Sequence, residues 1–177
     1  MYRKPPRSIL YQGDVVTEFA YPVLSNLTFR ERDFVSQLRI KTGPLIIVSH
    51  DCDLELYNNV PKRVAVQLCP LAAIPKQLKF DAEALERVKT NRVVPETPEF
   101  LNLFFFDAAT SDGIFKEDMV ADISLIHSFP SSPNLLDQLL AAKKLELQDE
   151  YRILLQDKLM YQYGRENLRP AKPSSAN

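Results

Sequence analysis

The sequence predicts an α+β protein, in which a small, strongly bent antiparallel β-sheet or β-barrel is followed by helices. The first observation is the order of segments: four or more strand-like segments, one short helix inserted among them, and two helices at the end. This order differs from the regular alternation of strands and helices in a parallel α/β protein. The second is composition, with 45% apolar and 25% charged residues among 177, which is typical of a globular protein.

The chain opens with a predicted strand and a polar segment. Residues 11–19 form the strand, which Gly13 introduces and to which Val15 and Val16 give apolar side chains. Residues 20–41 are largely polar and carry charges of both signs, which predicts a long loop or a loose hairpin. A long loop in a small domain is usually functional or disordered.

Further strands and one helix are predicted in the middle of the chain. Residues 45–48 are apolar without alternation, which indicates a strand that is buried on both faces. Residues 63–68 form the next strand, and Pro70 is expected to end it. The remaining predicted elements are a helix near 81–90 and strands over 101–106 and 120–128.

Two helices are predicted in the last third of the chain. Ser132 is a suitable N-cap for the first helix, because Pro133 then occupies the favoured first helical position. The second helix follows Gln148, with apolar residues recurring every four positions from Tyr151. The predicted organisation is a β-barrel domain over 1–130, a helical appendage packed on it over 131–164 and a flexible tail over 165–177.

Composition excludes several classes of protein. Four scattered glycines cannot build a dinucleotide fingerprint or a phosphate-binding loop, so no nucleotide cofactor is expected. The net charge of −1 gives no overall basic field for nucleic acid. No apolar run approaches the roughly 20 residues of a membrane helix, so no membrane partner is expected. Two cysteines are too few for a secreted disulfide scaffold, which favours a cytoplasmic location.

The densest cluster of chemically active side chains is the segment Ser-His-Asp-Cys-Asp over residues 49–53. If the preceding strand continues, Ser49, Asp51 and Asp53 share one face and His50 and Cys52 the other. His50 and Cys52, with Cys69 on the neighbouring strand, have the donor types that zinc prefers. His127 is a candidate for the fourth ligand.

Three other interpretations of this segment stay open. Asp51 and Asp53 are candidate ligands of a hard cation such as magnesium. Cys52 is a candidate nucleophile that His50 would activate. In the structural interpretation, Cys52 is a small buried apolar residue, and the two aspartates turn the chain by accepting bonds from backbone N–H groups.

The layout of the first half also resembles a known family. Residues 13–16 are Gly-Asp-Val-Val, a long loop follows, and residues 43–49 are Gly-Pro-Leu-Ile-Ile-Val-Ser. This pattern resembles the MazF/PemK-like toxins, whose late strand is also similar to residues 120–130. The resemblance covers about the first 70 residues and the region after Met119. It implies a small barrel of the Src-homology-3 type with helices packed on it.

The family members with nuclease activity cleave RNA, and the resemblance places two of their catalytic groups. An Arg precedes the Pro of the second strand, and a Thr or Ser lies near the end of the third. Here Gly43 stands at the first place, with Arg39 and Lys41 as the nearest cations, and the third strand ends without a hydroxyl. A cation that stabilises the phosphorane and a group that moves protons are what RNA cleavage needs. The sequence therefore departs from the family's catalytic pattern.

The resulting hypothesis is a non-catalytic binding or accessory protein of a bacterial or phage system. The resemblance implies the toxin–antitoxin or phage-defence setting. The expected partner is a protein, a second copy of the chain or a nucleic acid. The candidate binding residues are Ser49, His50, Asp51, Cys52, Asp53, Arg30 and Arg32.

The alternative hypothesis is an endoribonuclease with a rearranged site, with or without a metal. Its candidate catalytic residues are His50, Asp51, Asp53, Arg39 and Lys41. A third hypothesis is a structural protein that zinc holds together through His50, Cys52 and Cys69.

Overall fold

The structure is a computed structural model, and it describes residues 1–4, 6–29, 34–74, 82–93 and 100–164. The strands in these ranges are β1 (Val15–Phe29), β2 (Phe34–Ile47), β3 (Leu56–Tyr57), β4 (Val60–Pro61), β5 (Ala65–Ala73), β6 (Leu103–Phe106), β7 (Met119–Asp122), β8 (His127–Pro130) and β9 (Lys143–Leu145). The helices are α1 (Ala82–Lys89), α2 (Pro133–Ala142) and α3 (Asp149–Gly164), together with a short 3₁₀ helix over Asp51–Asp53.

Seven of these strands form one antiparallel sheet. Its order is β6-β7-β5-β2-β1-β9, and β8 also pairs with β5. Strands β3 and β4 form a separate two-stranded ribbon. The predicted α+β class with an antiparallel sheet is therefore confirmed. The sheet is not closed across the described residues, so a barrel is not confirmed.

The segment 20–41 is a hairpin, which was one of the two predicted alternatives. Strands β1 and β2 pair from Val15 opposite Ile46 to Phe29 opposite Phe34, with two register shifts between. Strand β2 pairs with β5 only through its last three residues, 45–47. The outer part of the hairpin therefore extends beyond the rest of the sheet.

Strand β5 runs through Pro70 to Ala73, so the prediction that Pro70 ends the strand is wrong. Proline lacks a backbone N–H and is tolerated where one edge of a strand needs no donor. Pro70 lies where β5 changes partners, because its pairing with β8 ends at Leu68 and its pairing with β7 begins at Leu71. The proline therefore marks a change of neighbour and not the end of the strand.

The predicted single strand over 120–128 is also wrong, because the chain turns in its middle. Strand β7 ends at Asp122 and β8 begins at His127. The Asp122 carboxylate accepts a hydrogen bond from the Ser124 amide at 3.0 Å, and the Leu125 amide donates to the Asp122 carbonyl at 2.9 Å. Aspartate side chains often form turns of this kind.

The predicted helices are present. The prediction near 81–90 corresponds to α1. In α2 the Ser132 hydroxyl accepts from the Leu135 amide at 3.1 Å, and Pro133 is the first helical residue. Strand β9 separates α2 from α3 and joins the sheet beside β1. Residues 165–177, the predicted tail, lie outside the described part of the chain.

The core lies on both faces of the sheet, and β2 separates its two halves. Leu45 and Ile47 of β2 pack in a cluster with Leu136 and Leu139 of α2. The intervening Ile46 packs in the other cluster, which includes two leucines of α3 at positions 155 and 159. The prediction that residues 45–48 are buried on both faces is confirmed. The predicted border between a barrel domain and a helical appendage stays a prediction.

Candidate functional site

The segment 49–53 does not continue the strand, so the predicted alternation of its side chains between two faces is wrong. After Val48 the chain turns into the 3₁₀ helix Asp51–Asp53. His50 precedes this helix in an extended conformation, and its Nδ1 atom accepts from the Cys52 amide at 3.4 Å. The turn brings Nδ1 of His50 to 2.8 Å from Sγ of Cys52. Both side chains are exposed.

Ser49 stabilises the sheet through a hydrogen bond to β5. Its side chain is buried, and its hydroxyl accepts a hydrogen bond from the Gln67 amide of β5 at 2.7 Å. The carbonyl of Gln67 in turn accepts from the Val48 amide at 2.9 Å. These bonds extend the contact between the end of β2 and β5 past the last paired residue. The Ser49 hydroxyl therefore accepts its hydrogen bond from the backbone of the neighbouring strand.

Asp51 links the turn to the N-terminal segment and to α3. One carboxylate oxygen accepts from the Gln12 amide at 2.7 Å, and the other pairs with the Arg152 guanidinium. Arg152 also donates to the Gln12 carbonyl at 3.1 Å and lies over the ring of Tyr11. Both oxygens of this carboxylate are thus engaged by protein groups, one of them by a backbone amide as the structural interpretation predicts. The same interpretation is wrong for Cys52, which is exposed and not a buried apolar residue.

Asp53 is engaged in a more exposed ion pair. Its Oδ1 atom lies 2.9 Å from Nε of Arg63, whose side chain is 70% exposed. Asp51 therefore has both carboxylate oxygens engaged by protein groups, and Asp53 has one. Within the described ranges, no three His, Cys, Asp or Glu side chains come together as a metal site.

Cys69 lies in the core, away from the turn. Its thiol donates to the Asp122 carbonyl at 3.1 Å, and burial, followed by the charge of Asp122, raises its pKa to about 12. Buried structural cysteines of this kind are poor nucleophiles near neutral pH. His127 also has a packing contact, because its ring lies 5.7 Å from that of Tyr21. The structure therefore does not bring the predicted zinc ligands together.

Two of the predicted cations lie on the described part of the hairpin. Arg39 and Lys41 are exposed on the outer part of β2. Arg30 and Arg32 lie outside the described residues. Gly43 faces a cavity of about 460 Å³ that Glu18 and Lys144 also line. A Cβ atom added at Gly43 would meet no heavy atom within 4 Å.

The sequence did not point to the most exposed apolar residues of β2. Leu38 and Ile40 are 64% and 65% exposed, and they alternate with Arg39 and Lys41. The alternation of two apolar and two basic residues over 38–41 is the sequence pattern that could have indicated a strand with apolar residues on one face. It did not decide the prediction, because the mixed charge of the wider segment favoured a loop as much as a hairpin.

A buried ionic cluster was also not predicted. Lys143 lies 2.9 Å from both Asp14 and Glu146, and all three side chains are almost fully buried. Burial raises the pKa of Asp14 to about 6, although its bond to Lys143 opposes the shift. For Glu146 burial acts in the same direction, but bonds from Lys143 and Arg7 outweigh it and the pKa is lowered. This cluster joins the start of β1 to β9.

The last unexpected group is Lys158 on α3. Its side chain is 2% exposed, and its ammonium donates to the Leu103 carbonyl of β6. Burial lowers the pKa of this amine to about 8. The residue sits between two core leucines of the helix at 155 and 159, which was a usable signal for its burial.

Comparison of the sequence with protein-family models and with curated proteins finds no match. Among the described helices, none has the length and apolar character needed to cross a membrane.

Proposed function

We propose that the chain is a non-catalytic binding protein that uses the outer part of the β1–β2 hairpin to hold a protein partner. The observation that carries the proposal is the exposure of Leu38 and Ile40, at 64% and 65%, on a strand edge. Before residue 45, the edge of β2 that faces away from β1 has no strand partner among the described residues. An exposed strand edge with apolar side chains is a template for pairing with another chain.

The charges beside these residues favour a particular partner segment. Arg39 lies between the two apolar residues along the strand, and Lys41 follows them; both cations are exposed. Successive side chains of a strand point to opposite faces, so an added strand would meet apolar side chains on one face and cations on the other. An extended segment that alternates apolar and acidic residues has the matching pattern. A second copy of the hairpin would bring basic residues together, which disfavours self-association.

The contacts of two candidate catalytic residues also support a role without catalysis. Asp51 bonds Arg152 and Gln12, and Asp53 is in an ion pair with Arg63. A carboxylate that acts as a general base must be free to take a proton from a substrate. The resemblance to the MazF/PemK-like toxins also favours a non-catalytic role, because this chain has Gly43 where those toxins have their catalytic Arg. On the basis of the same resemblance, we also propose a fold related to the toxin barrel and a cytoplasmic toxin–antitoxin or defence setting.

The ribonuclease alternative is tested by incubating the purified protein with long single-stranded RNA, with and without magnesium. The proposal predicts no cleavage above that of a protein-free sample. Cleavage that is lost in the His50→Ala and Asp51→Ala variants would establish the alternative. An Arg63→Ala variant, changed beside the same turn, is the control for nonspecific effects of substitution.

The hairpin surface is tested by titration with labelled extended peptides that alternate leucine with glutamate. Peptides that alternate leucine with lysine are the charge-reversed control. We expect the acidic peptides alone to bind, and a Leu38→Ser/Ile40→Ser variant to bind at least about tenfold more weakly, since each buried apolar side chain contributes about 1.5–3 kcal/mol. Leu125→Ser is a matched variant, because Leu125 is 61% exposed but lies elsewhere. Equal binding of both peptide classes, or no effect of the hairpin variant, would contradict the proposal.

A further inference from the structure

We propose that Cys52 is a reactive thiol that exchanges with disulfides, and that His50 is the base that takes its proton. This inference concerns a site separate from the hairpin and does not depend on the proposed binding function. It assigns a reversible covalent modification to the turn that follows β2. The class of reaction partner is the disulfide of a small thiol.

The first argument is the contact between the two side chains. Sγ of Cys52 lies 2.8 Å from Nδ1 of His50, and both residues are exposed. A nucleophile within hydrogen-bond reach of a base is the arrangement that activates cysteine and serine residues. Exposure also leaves room for an incoming disulfide to reach the sulfur.

The second argument is that the fold fixes which imidazole nitrogen faces the sulfur. Nδ1 of His50 accepts from the Cys52 amide at 3.4 Å, as the N-cap of the 3₁₀ helix. In the tautomer that holds its proton on Nε2, Nδ1 carries the acceptor lone pair of the ring and can take the thiol proton of Cys52.

The reaction balances without a further oxidant. The thiol proton of Cys52 moves to Nδ1 of His50, and the thiolate attacks one sulfur of a disulfide RS–SR. A new bond forms between Sγ and that sulfur while the RS–SR bond breaks. The two electrons leave with the departing thiolate, which takes a proton from His50 or water. Cys52 is oxidised to a mixed disulfide, and one small thiol is released.

The chain carries its own control in Cys69. That thiol is buried and bonded to the backbone carbonyl of Asp122. Buried structural cysteines are inert, whereas exposed thiols beside a base react. The native protein is therefore expected to have one fast-reacting thiol and one that reacts only after unfolding.

The test is the rate of reaction with the aromatic disulfide 5,5′-dithiobis(2-nitrobenzoate) at pH 7 in the presence of a chelator. The main variant is His50→Asn, because asparagine is a good N-cap and keeps the bond to the Cys52 amide but removes the base. A second variant, Cys69→Ala, leaves Cys52 as the single thiol. Circular dichroism shows whether each variant is folded. Mass spectrometry after incubation with glutathione disulfide identifies the modified residue.

We expect wild-type and Cys69→Ala proteins to react through Cys52 at equal rates. His50→Asn should react at least about fivefold more slowly, because the base in contact with the thiol is lost. A mixed disulfide with glutathione should form at Cys52 and not at Cys69. The proposal is overturned if folded His50→Asn reacts as fast as the wild type. It is also overturned if native Cys52 reacts no faster than Cys69.

Discussion

Arg152 connects the candidate site to the N-terminal segment and to α3. It is 12% exposed and joins three parts of the chain: the carboxylate of Asp51, the carbonyl of Gln12 and the carboxylate of Asp149 on its own helix. It also lies over the Tyr11 ring, whose centroid is 4.7 Å away. A bond to a charged group that is partly buried contributes more than an exposed one, because water screens it less.

We therefore expect Arg152→Met to lower the free energy of unfolding by about 1–3 kcal/mol. Arg63→Met is the matched control, since it removes an ion pair to Asp53 whose arginine is 70% exposed. Its expected cost is below about 1 kcal/mol. Urea denaturation of both variants measures the difference. Equal costs would show that the Arg152 contacts add nothing beyond those of an exposed pair.

Lys158 makes stability depend on pH in the alkaline range. Its pKa is 10.5 in an unfolded chain and about 8 in the fold, because burial disfavours the charged amine. Between these values the unfolded chain binds the proton and the folded chain does not, so this residue makes stability rise with pH. Cys69 acts in the opposite direction above pH 9, where the unfolded thiol ionises and the folded one, at about 12, does not.

Replacing Lys158 with methionine should remove this dependence. We expect Lys158→Met to stabilise the protein by roughly 1–3 kcal/mol at pH 7, with the advantage shrinking from pH 8 to pH 10. The wild-type protein is the reference at each pH, so the contribution of Cys69 cancels. Urea denaturation across this range measures the difference. A constant difference between pH 7 and pH 10 would contradict a neutral amine in the fold.

The site residues were predictable only where the signal is local. The proximity of His50 and Cys52 follows from their spacing of two residues, although the backbone is a 3₁₀ helix and not a strand. Cys69 could not be separated from them by sequence, because its burial depends on strands far along the chain. The partner of Asp51 is likewise 101 residues away, at Arg152. Such contacts depend on how elements pack and carry no signal in a local pattern.

At the scale of elements, helices were predicted better than strands. The helix α1 follows from local composition, and α2 from its cap and first-turn proline. The errors at Pro70 and at residues 120–128 arose because strand limits depend on neighbouring strands. A proline that breaks one partner's hydrogen bonding is tolerated where β5 exchanges β8 for β7. The turn at Asp122 depends on one carboxylate bonding the backbone.

The N-cap of α2 offers a test at this scale. The Ser132 hydroxyl accepts from the Leu135 amide, and α2 covers one half of the core through Leu136 and Leu139. We expect Ser132→Ala to cost about 1 kcal/mol, because one helix-end amide loses its acceptor. Ser132→Asp keeps an acceptor at the cap and should cost much less. Thermal unfolding monitored by circular dichroism distinguishes the two, and equal melting temperatures would show that the cap is not used.

At the scale of the whole molecule, the sequence supported the class and the order of elements but not the closure of the sheet. The order of elements along the chain and the two-sided burial of residues 45–48 follow from hydrophobic patterns, and the structure divides Leu45, Ile46 and Ile47 between two clusters. Whether a sheet closes depends on its twist and bend, which no short pattern encodes. The β1–β2 hairpin is the part of the open sheet that matters most for the proposed function. Its outer part extends beyond the other strands and carries exposed apolar and basic residues.

The most direct test of the proposed binding role is amide hydrogen exchange of the whole protein with and without the alternating acidic peptide. If the peptide adds as a strand to β2, those amides over 38–43 that face away from β1 should gain protection, because an added strand would bond them. Amides of α1 and of the β7–β8 turn should be unchanged. The Leu38→Ser/Ile40→Ser variant should show no such protection. Protection elsewhere with none over 38–43, or none at any peptide concentration, would contradict the account.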